Sequence, residues 1–313
     1  MRLCVLLRLL WMGPVPVVRA EPTGPVPTKG PVPLGPLYQR MANDIQLGKP
    51  LVATVHVALC DNRVIWCGHG GMGDGDHPHR NLYWGAAAGL RAWFDRAKGW
   101  RRIHVDAGDG ALVLERVVYR RRVQASTAWR RLGVRRSFDL LLVGLAYRGT
   151  RIDEAMTDFI NQVAGPVKKL AVIRLSDGRT VEYGGKGHLM GYAGHNRLME
   201  LTLLGDWHWP RLQRTQPMGF FVLACLSAPY FKNHLCDANT RGLLLTRSLM
   251  YPGAFTVDGL LRGIAAGEDQ QRVYLRGVER YATAQRRPQR VIRAAFTHDA
   301  EPRYARAYGR CSQ

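Results

Sequence analysis

The chain predicts an α/β fold: a mostly parallel sheet flanked by helices, with an additional β-hairpin and a C-terminal helical segment. Three observations carry that expectation. Apolar, β-rich runs alternate with helix-like segments, the pattern of strands joined by crossover helices. The run FDLLLVGLA at 138–146 is apolar without alternation, as a strand covered on both faces requires. Behind it, Ile152, Ala155, Met156, Phe159, Ile160 and Val163 recur at helical spacing and mark one buried face.

Along the chain, residues 1–20 read MRLCVLLRLLWMGPVPVVRA, with Arg2 near the start, an apolar stretch broken by Arg8, and small residues at its close. This predicts a secretion signal, and so an extracytoplasmic product, periplasmic or secreted. Residues 21–37, EPTGPVPTKGPVPLGPL, carry prolines so densely that an extended polyproline II spacer is expected. One α/β domain is then expected over 38–296 and a loose tail over 297–313. No later run approaches the roughly 20 apolar residues of a membrane-spanning helix.

Within the domain, LVATVHVAL at 51–59 reads as a strand that ends at Cys60 and Asp61 before a glycine-rich loop over 68–76. Asn81 is placed to cap a helix over 82–94, with Tyr83, Ala87, Leu90 and Phe94 on one stripe. The arginine-rich region 99–137 shows short β-like pieces and receives no assignment. The strand at 138–146 leads through Tyr147, Arg148 and Gly149 to Thr150, which with Asp153 forms a capping-box-like helix start. Residues 171–175 and 180–183 pair as a hairpin around Asp177-Gly178. A short strand at 188–193 ends at Gly194-His195-Asn196, a helix follows over 197–204, and a strand at 220–223 delivers Cys225. Helices are expected over 255–266 and 272–296.

The net charge of +21 comes from 38 Arg and 7 Lys against 24 acidic residues. The cations are scattered, with concentrations at Arg101-Arg102, Arg120 to Arg122, Arg130-Arg131, Arg135-Arg136 and Arg286-Arg287, and no nucleic-acid motif accompanies them. No specific nucleic-acid partner is expected, whereas attraction to anionic surfaces or acidic substrates is. Of the six cysteines, five remain after signal removal, an odd number that leaves at least one outside any intrachain pair. Spacing alone permits disulfides between Cys60 and Cys67 or between Cys225 and Cys236.

In parallel sheets functional groups gather beyond the carboxyl ends of the strands, where Cys60, Tyr147, His195 and Cys225 all fall. A cysteine peptidase needs a thiol and a base close enough to take its proton. Parallel neighbours lie about 4.8 Å apart, so His195 and Cys225 meet that need if their strands pair, and the roughly 30 residues between them hold one crossover. The segments GYAGHN and ACLS, a strand ending in His beside Gly and a later strand ending in Ala-Cys-x-Ser, resemble the caspase-like clan of cysteine peptidases, including metacaspases, gingipains and CHAT-type proteases. Over about residues 50–235 the resemblance implies a peptidase of peptide or protein substrates, with His195 as base and Cys225 as nucleophile on neighbouring strands.

Asp61, Asn196, Tyr147 and Arg148 are the candidates for substrate contacts, with Asp61 able to orient either a basic substrate or His195. His69, His77 and His79, with Asp74 and Asp76, offer an alternative metal-dependent hydrolase. No phosphate loop or dinucleotide fingerprint is present, so no cofactor is expected, and no Gly-x-Ser-x-Gly elbow marks a serine hydrolase. The remaining alternative is a catalytically inert extracytoplasmic binding or interaction protein.

Overall fold

The computed structural model describes residues 34–166, 171–200 and 207–302. The expected signal at 1–20 and most of the expected spacer lie outside these residues. In chain order the elements are α1 (Gly35–Gln46), β1 (Leu51–Ala58), α2 (Leu90–Phe94), β2 (Arg101–Asp106), β3 (Val113–Val123), α3 (Thr127–Arg131), β4 (Phe138–Tyr147) and α4 (Ile152–Ala164). They continue with β5 (Ala171–Arg174), β6 (Thr180–Tyr183), β7 (Leu189–Ala193), β8 (Met218–Leu223), α5 (Ser227–Phe231), β9 (Thr240–Thr246), α6 (Ala254–Ala266), α7 (Gln270–Ala284), α8 (Gln289–Arg293) and β10 (Phe296–Thr297).

Eight strands form one sheet in the order β10-β9-β8-β7-β1-β4-β3-β2, and β5 with β6 forms a separate hairpin. The five central strands, β9, β8, β7, β1 and β4, run parallel; β10 pairs antiparallel with β9, and on the other side β3 pairs antiparallel with β4 and β2 antiparallel with β3. The sheet is doubly covered, which is why its central strands read as continuous apolar runs. In β1, Leu51, Ala53, Val55 and Val57 join a core with α1, α6 and α7. Its alternate residues Val52 and Ala58 join a second core with α4 and the β5–β6 hairpin. All six apolar residues of the expected α4 stripe are buried there.

Several elements differ from expectation for local reasons. The chain from Leu82 to Gly89 folds as consecutive turns and only α2 is helical; a side chain at Gly89 would run into the backbone of Trp84. Asn81 does not cap a helix. Its side chain accepts from the Cys60 N–H and donates to the Cys60 carbonyl, fastening the loop to the end of β1. Thr150 does not cap α4 either: a 3-10 turn at Gly149–Arg151 leads in with no side-chain cap, and Asp153 and Glu154 complement the helix dipole instead. The region 272–296 is not one helix. It breaks before Pro288, which lacks the N–H a helix interior requires, and resumes as α8 and β10.

The unassigned region 99–137 is the β2–β3 antiparallel pair followed by α3, and β9 was not anticipated. The domain also starts earlier than residue 38. Pro36 sits in the first turn of α1, where its missing N–H costs nothing, and Leu34 and Leu37 are buried. At the other end Thr297 and His298 are buried rather than loose. Of the helix expected over 197–204, residues Arg197–Met199 form a 3-10 turn, and 201–206 lie outside the described residues. Among the described residues no helix is long and apolar enough to cross a membrane.

Candidate active site at the carboxyl edge of the sheet

Parallel pairing gathers the carboxyl ends of β4, β1, β7 and β8 on one edge. The strands carrying His195 and Cys225 are direct neighbours, as the dyad requires. Ala193 of β7 and Leu223 of β8 are Cα partners on the last shared rung, so His195 and Cys225 each stand two residues beyond it. The Gly194 N–H donates to the Leu223 carbonyl at 3.2 Å and carries the pairing one residue past the strand.

His195 is buried, and its Nε2 lies 2.8 Å from Glu200 Oε1. The buried Tyr192 hydroxyl donates to the His195 carbonyl at 2.9 Å, fixing the backbone on which the ring is mounted. Glu200 is itself gripped by Arg197, which also reaches Asp153 of α4. A carboxylate only accepts, so the Glu200 contact places a proton on His195 Nε2.

Cys225 is half-buried and keeps its thiol, whereas Cys60 and Cys67 form a disulfide and Cys236 is bonded in another. The alternative pairing of Cys225 with Cys236 is therefore excluded. The Cys225 carbonyl accepts from Asn196 Nδ2 at 2.7 Å, which ties the two strand ends together. The Met250 N–H donates to Cys225 Sγ at 3.4 Å, with the Met250 carbonyl oxygen at 3.5 Å, so the segment between β9 and α6 passes directly over the thiol. Leu226 adopts a left-handed conformation, φ 51° and ψ 34°. A bulky residue there is strained, and the surroundings hold it: its N–H donates to the Ser248 carbonyl, and Ser227 Oγ donates to the Val222 carbonyl at 3.0 Å. This turn reverses the chain immediately after Cys225 and begins α5, so the cysteine sits at a sharp strand-to-helix corner.

The chain matches no protein-family model, no curated protein and no solved structure. What the edge can do therefore rests on its own residues.

The other expected site residues are mostly committed to structure. Asn196 is fully buried; its Nδ2 donates to the Cys225 carbonyl, a positioning contact, while its buried Oδ1 has no partner among the described residues. Tyr147 is buried, donates to Asp158 Oδ2 at 3.0 Å and stacks on His56; burial first, then the Asp158 charge, pushes its hydroxyl pKa well above the usual value. Arg148 binds Asp76 and the carbonyls of Ala111 and Gly110. Asp61 faces Arg63, which donates to Oδ1 at 2.9 Å and to Oδ2 at 2.6 Å. Burial alone would raise the Asp61 carboxyl, but the hydrogen bonds and charge of Arg63 outweigh it and hold it below the usual range. His195 is thus partnered by Glu200, not by Asp61.

The glycine-rich loop is tied to its neighbours: the Gly73 carbonyl accepts from the Asn62 N–H at 2.8 Å and the Gly75 carbonyl from the Gly149 N–H at 2.9 Å, and a side chain at Gly73 would strike Asn62 and one at Gly75 Asp61. It borders an open cavity of about 580 Å³ lined by Asp61, Arg63, Trp66, His69, Asp74 and Asp76. The three histidines of the metal alternative diverge. His69 packs edge-on against Trp66, His77 pairs with Asp74, and His79 meets Arg91. Among the described residues no group of three or more His, Cys, Asp or Glu side chains is placed to hold a metal ion. Glu200 and Met250 were not found by sequence reasoning; the only signal was a carboxylate five residues after His195, uninformative until the chain is known to turn back.

Proposed function

We propose that this protein is a cysteine hydrolase, a peptidase of peptide or protein substrates, in which Cys225 is the nucleophile and His195 the general base. One observation carries the reading: His195 and Cys225 stand two residues beyond the same rung of adjacent parallel strands, their backbones joined by Asn196. The resemblance to the caspase-like clan agrees with that chain order and placement. The pinned loop and its cavity, one strand over at the end of β1, give a bound peptide a wall to lie against.

In the proposed cycle the Cys225 thiol proton passes to His195 Nδ1 as Sγ bonds to the scissile carbonyl carbon. Glu200, on Nε2, stabilises the resulting imidazolium. Collapse of the tetrahedral adduct breaks the C–N bond, and His195 returns the proton to the leaving amine. Water then attacks the thioester, His195 accepts its proton, and release of the acid restores the thiol. We also place the protein in an extracytoplasmic compartment; the Cys60–Cys67 disulfide supports this, since such bonds persist in oxidising surroundings.

The test is cleavage of a peptide library by wild type beside Cys225→Ala. Cleavage by wild type that disappears in the variant supports the mechanism. Cleavage that survives the substitution refutes it, and a folded wild type that cleaves nothing and whose Cys225 resists alkylation favours an inert α/β binding protein.

A further inference from the structure

The amino-terminal pole of the sheet, opposite the candidate active site, collects cations, several of them exposed and without an ion-pair partner among the described residues. Register brings them together. Leu51 of β1 and Leu140 of β4 share a rung, and Arg121 of β3 is the partner of Leu140 on the other side. Arg120, one residue back along β3, lies directly opposite Arg101 of β2. Arg135 and Arg136 immediately precede β4, and Arg131 closes α3. The Arg101, Arg131, Arg135 and Arg136 side chains are exposed, and with Arg120 they make no hydrogen bond or ion pair with the described residues. Two like charges facing each other across a rung are destabilising unless an outside anion answers them. The acids nearby are already engaged: Asp139 with Arg122, Asp44 with Lys49 and His188, Asp95 with Arg102, and Asp177 chiefly with Arg179 and more weakly with the charge of Arg120.

Leu47 lies at the same pole, beside the turn that carries Arg131, Arg135 and Arg136. It ends α1 four residues before Leu51, and it is 73% exposed, the most exposed large hydrophobic side chain described. Its neighbour Gln46 donates to the Leu132 carbonyl at 2.9 Å, which locks the α1 end against the turn that carries Arg131, Arg135 and Arg136. An isolated exposed leucine needs no explanation, but one sharing a pole with exposed arginines that have no ion-pair partner among the described residues has the chemistry of a peripheral bilayer contact. The apolar side chain enters the acyl boundary while the guanidinium groups engage headgroup phosphates, which Arg can bind in bidentate fashion.

We propose that this pole docks on an anionic phospholipid bilayer, with Leu47 inserted and Arg101, Arg120, Arg131, Arg135 and Arg136 on the headgroups, leaving the Cys225 edge facing away from the membrane. Each arginine near such a surface contributes about 1 kcal/mol, roughly a fivefold change in partitioning.

The test is co-sedimentation of the full chain with vesicles of 30% phosphatidylglycerol in phosphatidylcholine, and with pure phosphatidylcholine, at 0.1 M salt. Wild type is expected to bind the anionic vesicles and not the neutral ones. The double variant Arg135→Gln, Arg136→Gln should bind about thirtyfold more weakly, and Leu47→Ser at least fivefold more weakly. Unchanged alkylation of Cys225 in both variants verifies that they fold. Equal binding by wild type and the double variant would overturn the proposal, as would equal binding to neutral vesicles. So would a Leu47→Ser variant that binds like wild type while duplex DNA displaces the vesicles, since that pattern is a nonspecific polyanion surface.

Discussion

His56 gives the sheet a measurable dependence on pH. It lies in β1 with no solvent exposure, stacked on Tyr147 at 5.0 Å and edge-on to Phe159 at 6.3 Å. Its Nδ1 is 3.4 Å from the Ala155 carbonyl, and its buried Nε2 has no partner among the described residues. Burial is the dominant influence and pushes the ring pKa down to about 4, with the Ala155 carbonyl opposing it weakly. An exposed histidine in the unfolded chain titrates near 6.5. Between these values the unfolded state binds a proton that the folded state refuses. Stability is therefore fully present above about pH 6.5 and is lost as pH falls through about 4. Going from pH 7 to pH 4.5, this one residue should cost roughly 2.5 kcal/mol. Replacing it by leucine, a near-isosteric apolar side chain, removes the titration while filling the same space between Tyr147 and Phe159. Denaturant unfolding followed by tryptophan fluorescence, with disulfides intact, should show wild type and His56→Leu within about 1.5 kcal/mol at pH 7. At pH 4.5 the variant should have gained roughly 2.5 kcal/mol relative to wild type. The buried His298, also pushed down to about 4, and Asp158, raised chiefly by burial, act in both proteins and cancel in the difference. A wild-type-to-variant difference that stays constant from pH 7 to pH 4.5 would refute the argument.

Two further outcomes follow from the site and its supports. Glu200→Gln keeps an acceptor within reach of His195 Nε2 but removes the negative charge opposite an imidazolium. Alkylation of Cys225 at pH 7 should fall about tenfold and its pH profile should move upward, whereas an unaltered profile would remove Glu200 from the site. Paired Cys60→Ser and Cys67→Ser substitutions open a short loop at the end of β1 and should lower unfolding stability by about 2 kcal/mol, read from the denaturation midpoint; an unchanged midpoint would mean that the Asn81 contacts alone hold that loop.

The parts of the fold that were readable are those whose pattern is set locally. The α4 stripe, the Asp-Gly hairpin and the apolar runs of β1, β4 and β8 follow from side-chain periodicity and turn chemistry, and all stand in the structure. The β2–β3 pair was hidden because its alternation is overwritten by Arg120, Arg121 and Arg122 in succession, on a strand with one face partly in solvent. The helix expected over 82–94 stands only over 90–94. Leu90 and Phe94 share the buried face of the short α2, but Tyr83 is brought inward by tight turns rather than by a helical period. At the site, the strand ends bearing His195 and Cys225 were legible from chain order. The contacts of Glu200, Asn196 and Met250 were not, because they depend on how irregular segments return to the edge. The histidine-rich loop looked like a metal site in composition, and the structure turns each ring toward a different neighbour.

The central claim is that His195 serves the Cys225 thiol. Iodoacetamide labelling of Cys225, followed by mass spectrometry across pH 4 to 10 in wild type and in His195→Ala, measures it directly. The account predicts that wild type labels with an inflection at lower pH than the variant, because a neighbouring imidazolium favours the thiolate. Coincident profiles in the two proteins would show that the ring and the thiol ignore each other, and the proposed dyad would fall.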